Sequence, residues 1–223
     1  MPKFRFVSVL LCSGAIIAAP KSVHAQFTTY TDLTTYLAAV LNPATDTFDD
    51  LPLGFFPTPI LNRPVGPYQY SASLSPAGNP DGCYNVGTLP DVWLSTVENP
   101  QVITFSGFSP SVRGFAANFF GTDPNGDFFA DVSIILTATN VGGTVTHTLV
   151  NPTTSTFYAF VSASAITSVT VEVQQVVNEF NFPTVNNLTL ATVTAVPESN
   201  TIALVAAGLV AMAVFARRRR VNK

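Results

Sequence analysis

Alternation of apolar and small polar residues is the feature that most restricts the fold of this chain. Residues 132–138 carry an apolar side chain at nearly every second position, with Ile135 as the one break in the pattern. A period of two is typical of a β-strand with one buried face. Residues 140–143, Asn-Val-Gly-Gly, form a turn signal, and 144–150 resume a Thr-rich alternation. The sequence therefore predicts a β-hairpin across 132–150.

Further segments of this kind recur along the chain without amphipathic helices between them. They lie at 101–105, 112–120, 156–161, 168–173 and 187–193. Thr-rich segments bounded by Gly, Pro and Asn favour two packed sheets over an α/β fold. We expect a mainly β chain that forms a single β-sandwich of the jelly-roll type.

One short helix is predicted near the start of this domain. Thr31 or Asp32 supplies its N-cap, and the pair at 42–43, Asn-Pro, is its predicted stop. We expect the helix to cover one end of the sandwich. Its apolar stripe, at i, i+3, i+4, i+7 and i+8, consists of Leu33, Tyr36, Leu37, Val40 and Leu41.

The N-terminus has the three parts of a secretory signal peptide. A basic start is followed by apolar residues 6–19 and by a Val-His-Ala sequence that resembles a small-residue cleavage site. We expect cleavage between Ala25 and Gln26, so that 1–25 form the signal peptide.

The C-terminal residues combine a turn-forming motif, a short apolar run and a basic end. The motif is Val196, Pro197, Glu198 and Ser199, the apolar run is 201–216, and the basic end begins with Arg217, Arg218, Arg219 and Arg220. As a helix the run would reach about 24 Å, somewhat less than the ~30 Å hydrocarbon core of a bilayer. The arginines can extend their apolar stems into the interface, and they fix the cytoplasmic side. We expect a transmembrane helix at 201–216, an ectodomain at 26–195 and a tail at 196–223.

Charge is distributed unevenly between the ectodomain and the two ends. Residues 26–195 hold twelve acidic side chains but only Arg63 and Arg113 as bases, so their net charge is near −10, whereas that of the whole chain is −3. Such a surface repels the phosphates of nucleic acids and favours cations. We therefore expect no nucleic-acid partner.

Cys83 is the one cysteine left after removal of the signal peptide, so the ectodomain forms no internal disulfide. Its turn-rich surroundings leave two interpretations, a half-buried small apolar residue or an exposed thiol that cross-links two copies.

The C-terminal tail resembles the PEP-CTERM sorting signal of Gram-negative bacteria. In that family a Val-Pro-Glu-Pro-type motif precedes a short transmembrane helix and an Arg-rich end, and Ser199 departs from it where the second Pro is usual. The resemblance implies recognition by an exosortase, which cuts near the motif. It also implies transient anchoring in the inner membrane, then a place at the cell surface or outside the cell, in a biofilm matrix.

The ectodomain is similar to members of the same family along most of its length. The similar segments are 48–51, 115–126, 157–162 with 166–169, and 182–188. Ala116 and Asn186 depart from the pattern at positions where Gly and Asp are common. The resemblance supports the predicted fold and implies no activity.

The residues that catalysis needs are few in the ectodomain. His147, its one histidine, lies in the Thr-rich strand and is expected to face outward from a ladder of threonines. No Gly-x-Ser-x-Gly sequence or Gly-rich phosphate loop occurs, and one His with one Cys is too little for a zinc site. We expect no catalytic residues and no enzyme activity, although a pair of carboxylates brought together by the fold would not be visible in the sequence.

One loop has the composition of a cation site. Asp123, Asn125, Asp127 and Asp131 offer oxygen ligands at close spacing around a glycine, which suits Ca²⁺. The spacing departs from the EF-hand pattern, because Phe128 and Ile134 stand where Gly and Glu belong. The alternative is an ordinary hairpin loop whose side chains accept local hydrogen bonds. Ca²⁺ is the only cofactor the sequence suggests.

Aromatic residues suggest a second kind of site. Trp93 and three Phe pairs, at 55–56, 119–120 and 128–129, are candidates for a face that stacks on sugar rings, although most aromatic residues of a sandwich lie in its core. A pair of neighbouring residues in a strand places one ring on each face. Three functions therefore stay open: a non-enzymatic surface or matrix protein, a carbohydrate-binding module of the extracellular polysaccharide, and a secreted hydrolase.

Overall fold

The computed structural model describes residues 27–58, 60–75, 83–97, 102–174 and 180–193, together with Gly208. They form two antiparallel β-sheets and one short helix, so the prediction of a mainly β chain is confirmed. No helix in this part of the chain is long and apolar enough to cross a membrane. The predicted cleavage site, the motif at 196–199, the apolar run apart from Gly208 and the four arginines lie outside the described residues.

The elements are β1 (Phe27–Tyr30), α1 (Leu33–Ala39), β2 (Leu41–Asp46), β3 (Gly54–Phe56), β4 (Ile60–Val65), β5 (Tyr68–Ser75), β6 (Cys83–Thr88), β7 (Asp91–Ser95), β8 (Val102–Ser106), β9 (Gly114–Thr122), β10 (Phe128–Phe129), β11 (Ser133–Asn140), β12 (Gly143–Val150), β13 (Phe157–Ser162), β14 (Ile166–Gln174) and β15 (Phe182–Thr192). The nine-stranded sheet has the order β1-β13-β9-β15-β7-β6-β3, with β10 paired to β9 and β2 paired to β15. The six-stranded sheet has the order β12-β11-β14-β8-β5-β4.

The two sheets share one apolar core, and β9 supplies its centre. Phe115 and Phe119 point from β9 toward the six-stranded sheet, where the Phe115 ring lies 5.4 Å from that of Phe105. Side chains on the other face of β9, including Ala116 and Phe120, are buried as well. Nearly every side chain of β9 is therefore withdrawn from water, on both faces of the sheet.

The hairpin predicted at 132–150 is confirmed as β11 and β12, joined by a two-residue turn at 141–142. The Asn140 side chain accepts a hydrogen bond from the Gly142 amide at 2.7 Å, which stabilises the turn. On the outer face, Thr137 pairs with Thr146 through their hydroxyls at 3.1 Å. This is the expected ladder of threonines.

The expected outward orientation of His147 is wrong. His147 is paired with Leu136, which lies in the core, so both side chains face inward. Its ring stacks on Tyr158 of the other sheet, with centroids 4.3 Å apart. The Thr residues alternate with His147 and therefore occupy the opposite face of the strand.

The other five predicted strands are present as β8, β9, β13, β14 and β15, with ends shifted by one to five residues. β1 to β7 and the short β10 were not predicted. β5, eight residues with alternating burial and without Pro or Gly, was missed, whereas the others are short or interrupted by Pro and Gly. Pro43 and Pro64 lie inside β2 and β4. Strands of this kind lack the regular alternation by which the longer ones are recognised.

The predicted helix is confirmed, and Asp32 is its N-cap through a 2.9 Å bond from the Thr35 amide. The predicted stop at 42–43 is wrong, because the helix ends at Ala39 and β2 begins at Leu41. Its location differs too: Tyr36 and Val40 pack on the outer face of the nine-stranded sheet and not over an end. Small side chains make room for them there, namely Ala116, Ala159 and Ala191.

A buried ion pair joins the two sheets at one edge. Asp46 of β2 accepts bonds from Arg63 Nε of β4 at 2.9 Å and from the Tyr70 hydroxyl of β5 at 2.7 Å. Asp50 accepts two more bonds from the Arg63 guanidinium, which lower the pKa of Asp50. This contribution to stability is present above the ordinary carboxyl pKa and is lost as the pH falls through the lowered value.

Cys83 is fully buried in the core, so the first of its two interpretations, a small apolar residue, is the correct one. Burial raises the pKa of its thiol to about 11. A thiol of this kind is a poor nucleophile at neutral pH.

Candidate functional site

Five aromatic side chains lie on the outer side of the nine-stranded sheet, the side away from the six-stranded sheet. We call this group the aromatic face; it consists of Phe55, Tyr84, Trp93, Phe120 and Phe128. Pairing in the sheet places them together: Phe55 is opposite Tyr84, and Val86, on the same side as Tyr84, is opposite Trp93. The Trp93 ring meets the Phe120 ring edge-on at 4.9 Å, and Phe120 lies 6.3 Å from Phe128.

All three Phe pairs place one ring on each face, as predicted. Phe56, Phe119 and Phe129 belong to or pack against the shared core, whereas their neighbours face outward. Phe55 is 52% exposed and Phe128 40% exposed, while Phe120 is fully buried beneath the surface rings. The aromatic face therefore has a buried base and rings that are open to solvent.

Polar groups lie beside Trp93 on the same face. Val185 pairs with Leu94, which brings Asn186 next to Trp93 across the strands. The Asn186 amide donates to a carboxylate oxygen of Asp91 at 2.9 Å. A carboxylate accepts several hydrogen bonds, so Asp91 is able to accept hydrogen bonds from the hydroxyl groups of a ligand as well.

The sequence indicated Phe55, Trp93, Phe120 and Phe128 as candidates, but it did not indicate Tyr84 or the polar pair. Tyr84 lies in β6 and Asp91 in β7, two strands that were not predicted. The pairing of β7 with β15 joins residues about 90 positions apart in the chain. A partner at that separation leaves no local pattern that sequence analysis is able to recognise.

The loop with the predicted Ca²⁺ ligands lies against the aromatic face. Gly126 has a φ of +85°, and a Cβ at this position would lie 2.7 Å from a methyl group of Val86. Because glycine adopts this conformation without strain and has no side chain, the loop is able to close over β6. Phe128 follows the loop and pairs with Thr122 at the start of the β10 hairpin.

The hydrogen bonds of this loop are those of a hairpin loop. The Asp123 carboxylate accepts bonds from the amides of Asn125 at 2.8 Å and Asp127 at 3.0 Å. Asp127 and Asp131 are exposed. Among the described residues, no group of three or more His, Cys, Asp or Glu side chains is arranged to hold a metal ion. The two interpretations, a Ca²⁺ site and an ordinary hairpin loop, therefore stay open, and the hydrogen bonds of the loop favour the second.

Hydroxyl groups cluster at the base of the same face, but no general base accompanies them among their hydrogen-bond partners. Ser95, Thr122 and Thr184 are buried and linked by hydroxyl contacts of 2.8–3.4 Å. His147 lies in the six-stranded sheet, stacked on Tyr158. The histidine and the hydroxyl cluster are therefore on different sheets, and this arrangement does not activate a serine.

The described acids serve chiefly as acceptors that fix local structure. Asp32 caps α1, Asp46 and Asp50 hold Arg63, and Asp49 accepts a bond from the Val92 amide at 3.1 Å. Asp46 and Asp50 form a pair of carboxylates, but both bind the same Arg63 guanidinium. Glycoside hydrolysis by general acid–base catalysis needs two carboxyl groups that are free to exchange protons.

Comparison of the chain with protein-family models, with curated proteins and with solved structures gave no match in any of the three.

We predict that Ca²⁺ does not stabilise the loop, because the Asp123 carboxylate is already bound to the loop's own amides. Adding Ca²⁺ should leave the melting temperature unchanged, whereas Asp123→Ala should lower the free energy of unfolding by about 1–2 kcal/mol with or without the ion. Thermal unfolding followed by circular dichroism measures both. A rise with Ca²⁺ that is lost in Asp127→Ala and Asp131→Ala would instead establish a cation site.

Proposed function

We propose that this chain is a non-enzymatic protein of the cell surface or the extracellular matrix, exported through a signal peptide and sorted by an exosortase. Its described strands begin at Phe27 and end at Thr192. These limits fit a β-sandwich ectodomain of jelly-roll type at 26–195, between a signal peptide and the motif at 196–199. The single observation that carries the proposal is the order of motif, apolar run and arginines in the tail.

The two ends have different roles in this proposal. Cleavage after Ala25 releases the N-terminus, and the helix at 201–216 holds the chain in the inner membrane. Arg217 to Arg220 act as the basic stop on the cytoplasmic side. The exosortase then cuts near Val196–Ser199 and frees the ectodomain. Its high negative charge keeps the released domain soluble and apart from nucleic acids.

We predict that the extracellular form ends near Val196–Ser199. Mass spectrometry of the C-terminal peptide should find this end in cells that hold the exosortase, and the intact tail at the membrane in cells without it. Ser199→Pro restores the usual motif and should be processed at least as completely. Recovery of a released protein that still carries 217–220 would rule out sorting by cleavage.

A second candidate function, carbohydrate binding, is favoured by the aromatic face. The exposed ring of Phe55 and the partly exposed rings of Tyr84 and Trp93 offer flat apolar surfaces for the C–H faces of pyranose rings. Asp91 and Asn186 lie beside these rings and are able to form hydrogen bonds with sugar hydroxyl groups. Because the ectodomain is strongly acidic, we expect a neutral glycan of the extracellular polysaccharide as the ligand. A hydrolase is less well supported, since most of the described acids are engaged with amides or with Arg63.

We predict that Phe55→Ala lowers the affinity for a neutral glycan about tenfold, which corresponds to ~1.4 kcal/mol of lost contact. A glycan array identifies the ligand, and titration calorimetry measures the change. Ile60→Ala is the matched control, because Ile60 is 50% exposed on the other sheet. Equal losses in the two variants, or no retention of any neutral glycan, would contradict a binding role for the aromatic face.

A further inference from the structure

The last described strand leaves the domain at one identifiable end. Thr192 pairs with Leu41, and Ala191 accepts a 2.9 Å bond from the Arg113 amide. Arg113 in turn accepts a 2.7 Å bond from the Ser162 amide, and the Ser162 hydroxyl accepts one from Asn140 at 2.8 Å. These contacts gather the connections at 107–113, 140–143 and 162–166 around the point where the chain departs. We call this the exit end.

Apolar side chains are exposed at the exit end and on the helix that leads to it. Val141, in the turn between β11 and β12, is 82% exposed, and Leu41 is 45% exposed. Leu33 and Leu37, four residues apart on one row of α1, are 47% and 40% exposed. Of the apolar stripe predicted for this helix, only Tyr36 and Val40 are buried. The other three residues of the stripe, Leu33, Leu37 and Leu41, are exposed and are not covered by any of the described residues.

The exit end also differs in charge from the rest of the domain. The connections at 107–113, 140–143 and 162–166 contain no acidic residue, and Arg113 is their one charged side chain. Acids lie at the opposite end, where β9 ends and where β11 begins and β14 ends. They are Asp123, Asp127, Asp131 and Glu172. These four acids mark the far end, which we call the acidic end, whereas the three connections of the exit end hold none.

Chain length ties the exit end to the predicted membrane segment. Seven residues, and so eight Cα-to-Cα steps, separate Val193 from Thr201, where the apolar run begins. Fully extended, they span at most about 28 Å. As long as the run is held in a bilayer, this linker keeps the exit end within that distance of the bilayer.

We propose that the exit end, with Val141 and Leu41 at its surface, rests on the lipid bilayer together with the exposed Leu37 of α1 while the tail is anchored. The inference relies on the proposed membrane anchor at 201–216. Exposed leucine and valine side chains enter the apolar boundary of the headgroup region, and Arg113 faces anionic headgroups. The acidic end is held away from them, because like charges repel. The aromatic face, built largely on strands at the far half of β15, stays accessible to a ligand.

The test compares two valines of the same strand pair. Val141, in the turn before β12, and Val150, at the far end of β12, are 82% and 72% exposed. Each is replaced by Cys in the full chain with Cys12→Ser and labelled with an NBD fluorophore; buried Cys83 does not react. The protein is placed in vesicles of phosphatidylethanolamine and phosphatidylglycerol, with and without brominated acyl chains. We expect blue-shifted emission that brominated lipid quenches at position 141, and water-like emission without quenching at position 150.

Further outcomes separate this inference from the anchor on which it relies. Chains that float with the vesicles but show water-like emission at both positions would overturn the contact and leave the anchor standing. Failure to float would overturn both. Blue-shifted emission at position 141 that disappears when the protein is diluted in excess lipid would show that a second copy of the chain covers the exit end. That result would overturn lipid contact. Leu37→Asn with Leu41→Asn should weaken the quenching at position 141.

Discussion

Burial of the β9–β15 pair on both faces is the constraint on which the rest of this structure depends. Sheets of this type commonly leave one face in water, but here the six-stranded sheet covers the inner face while α1 and the loop before β10 cover much of the outer one. Phe115 and Phe119 fill the space between the sheets. Small residues such as Ala116 accept the helix at one end of β9, and Phe120 underlies the aromatic face at the other.

This arrangement divides the outer surface between two tasks. Toward the start of β9, the departing C-terminal strand reaches the exit end, whose connections at 107–113, 140–143 and 162–166 contain no acidic residue. Toward its end, Trp93 and Phe128 surround the buried Phe120 ring, with Asp91 and Asn186 nearby. In the proposed account, the first region meets the membrane before release, and the second is directed toward extracellular glycans.

The sequence predicted the features that depend on local pattern. The hairpin at 132–150, the capped helix from Leu33 and the opposite orientations within each Phe pair all follow from the periods of strands and helices. Features that depend on distant pairing were missed. Alternation shows that His147 and its Thr neighbours face opposite ways, but it does not say which side is the core. An apolar stripe likewise does not show against which part of the domain a helix packs, since the Ala residues that contact Tyr36 come from three separate strands.

Hydrogen exchange measured residue by residue tests the central claim of this account, that the doubly covered β9–β15 pair is the most stable part of the domain. Amides of β9 from Ala116 to Phe119 should exchange only through global unfolding, whereas those of β12, an edge strand with an exposed outer face, should exchange through local opening. Exchange in β9 as fast as in β12 would contradict the claim, because the outer cover would then add no protection.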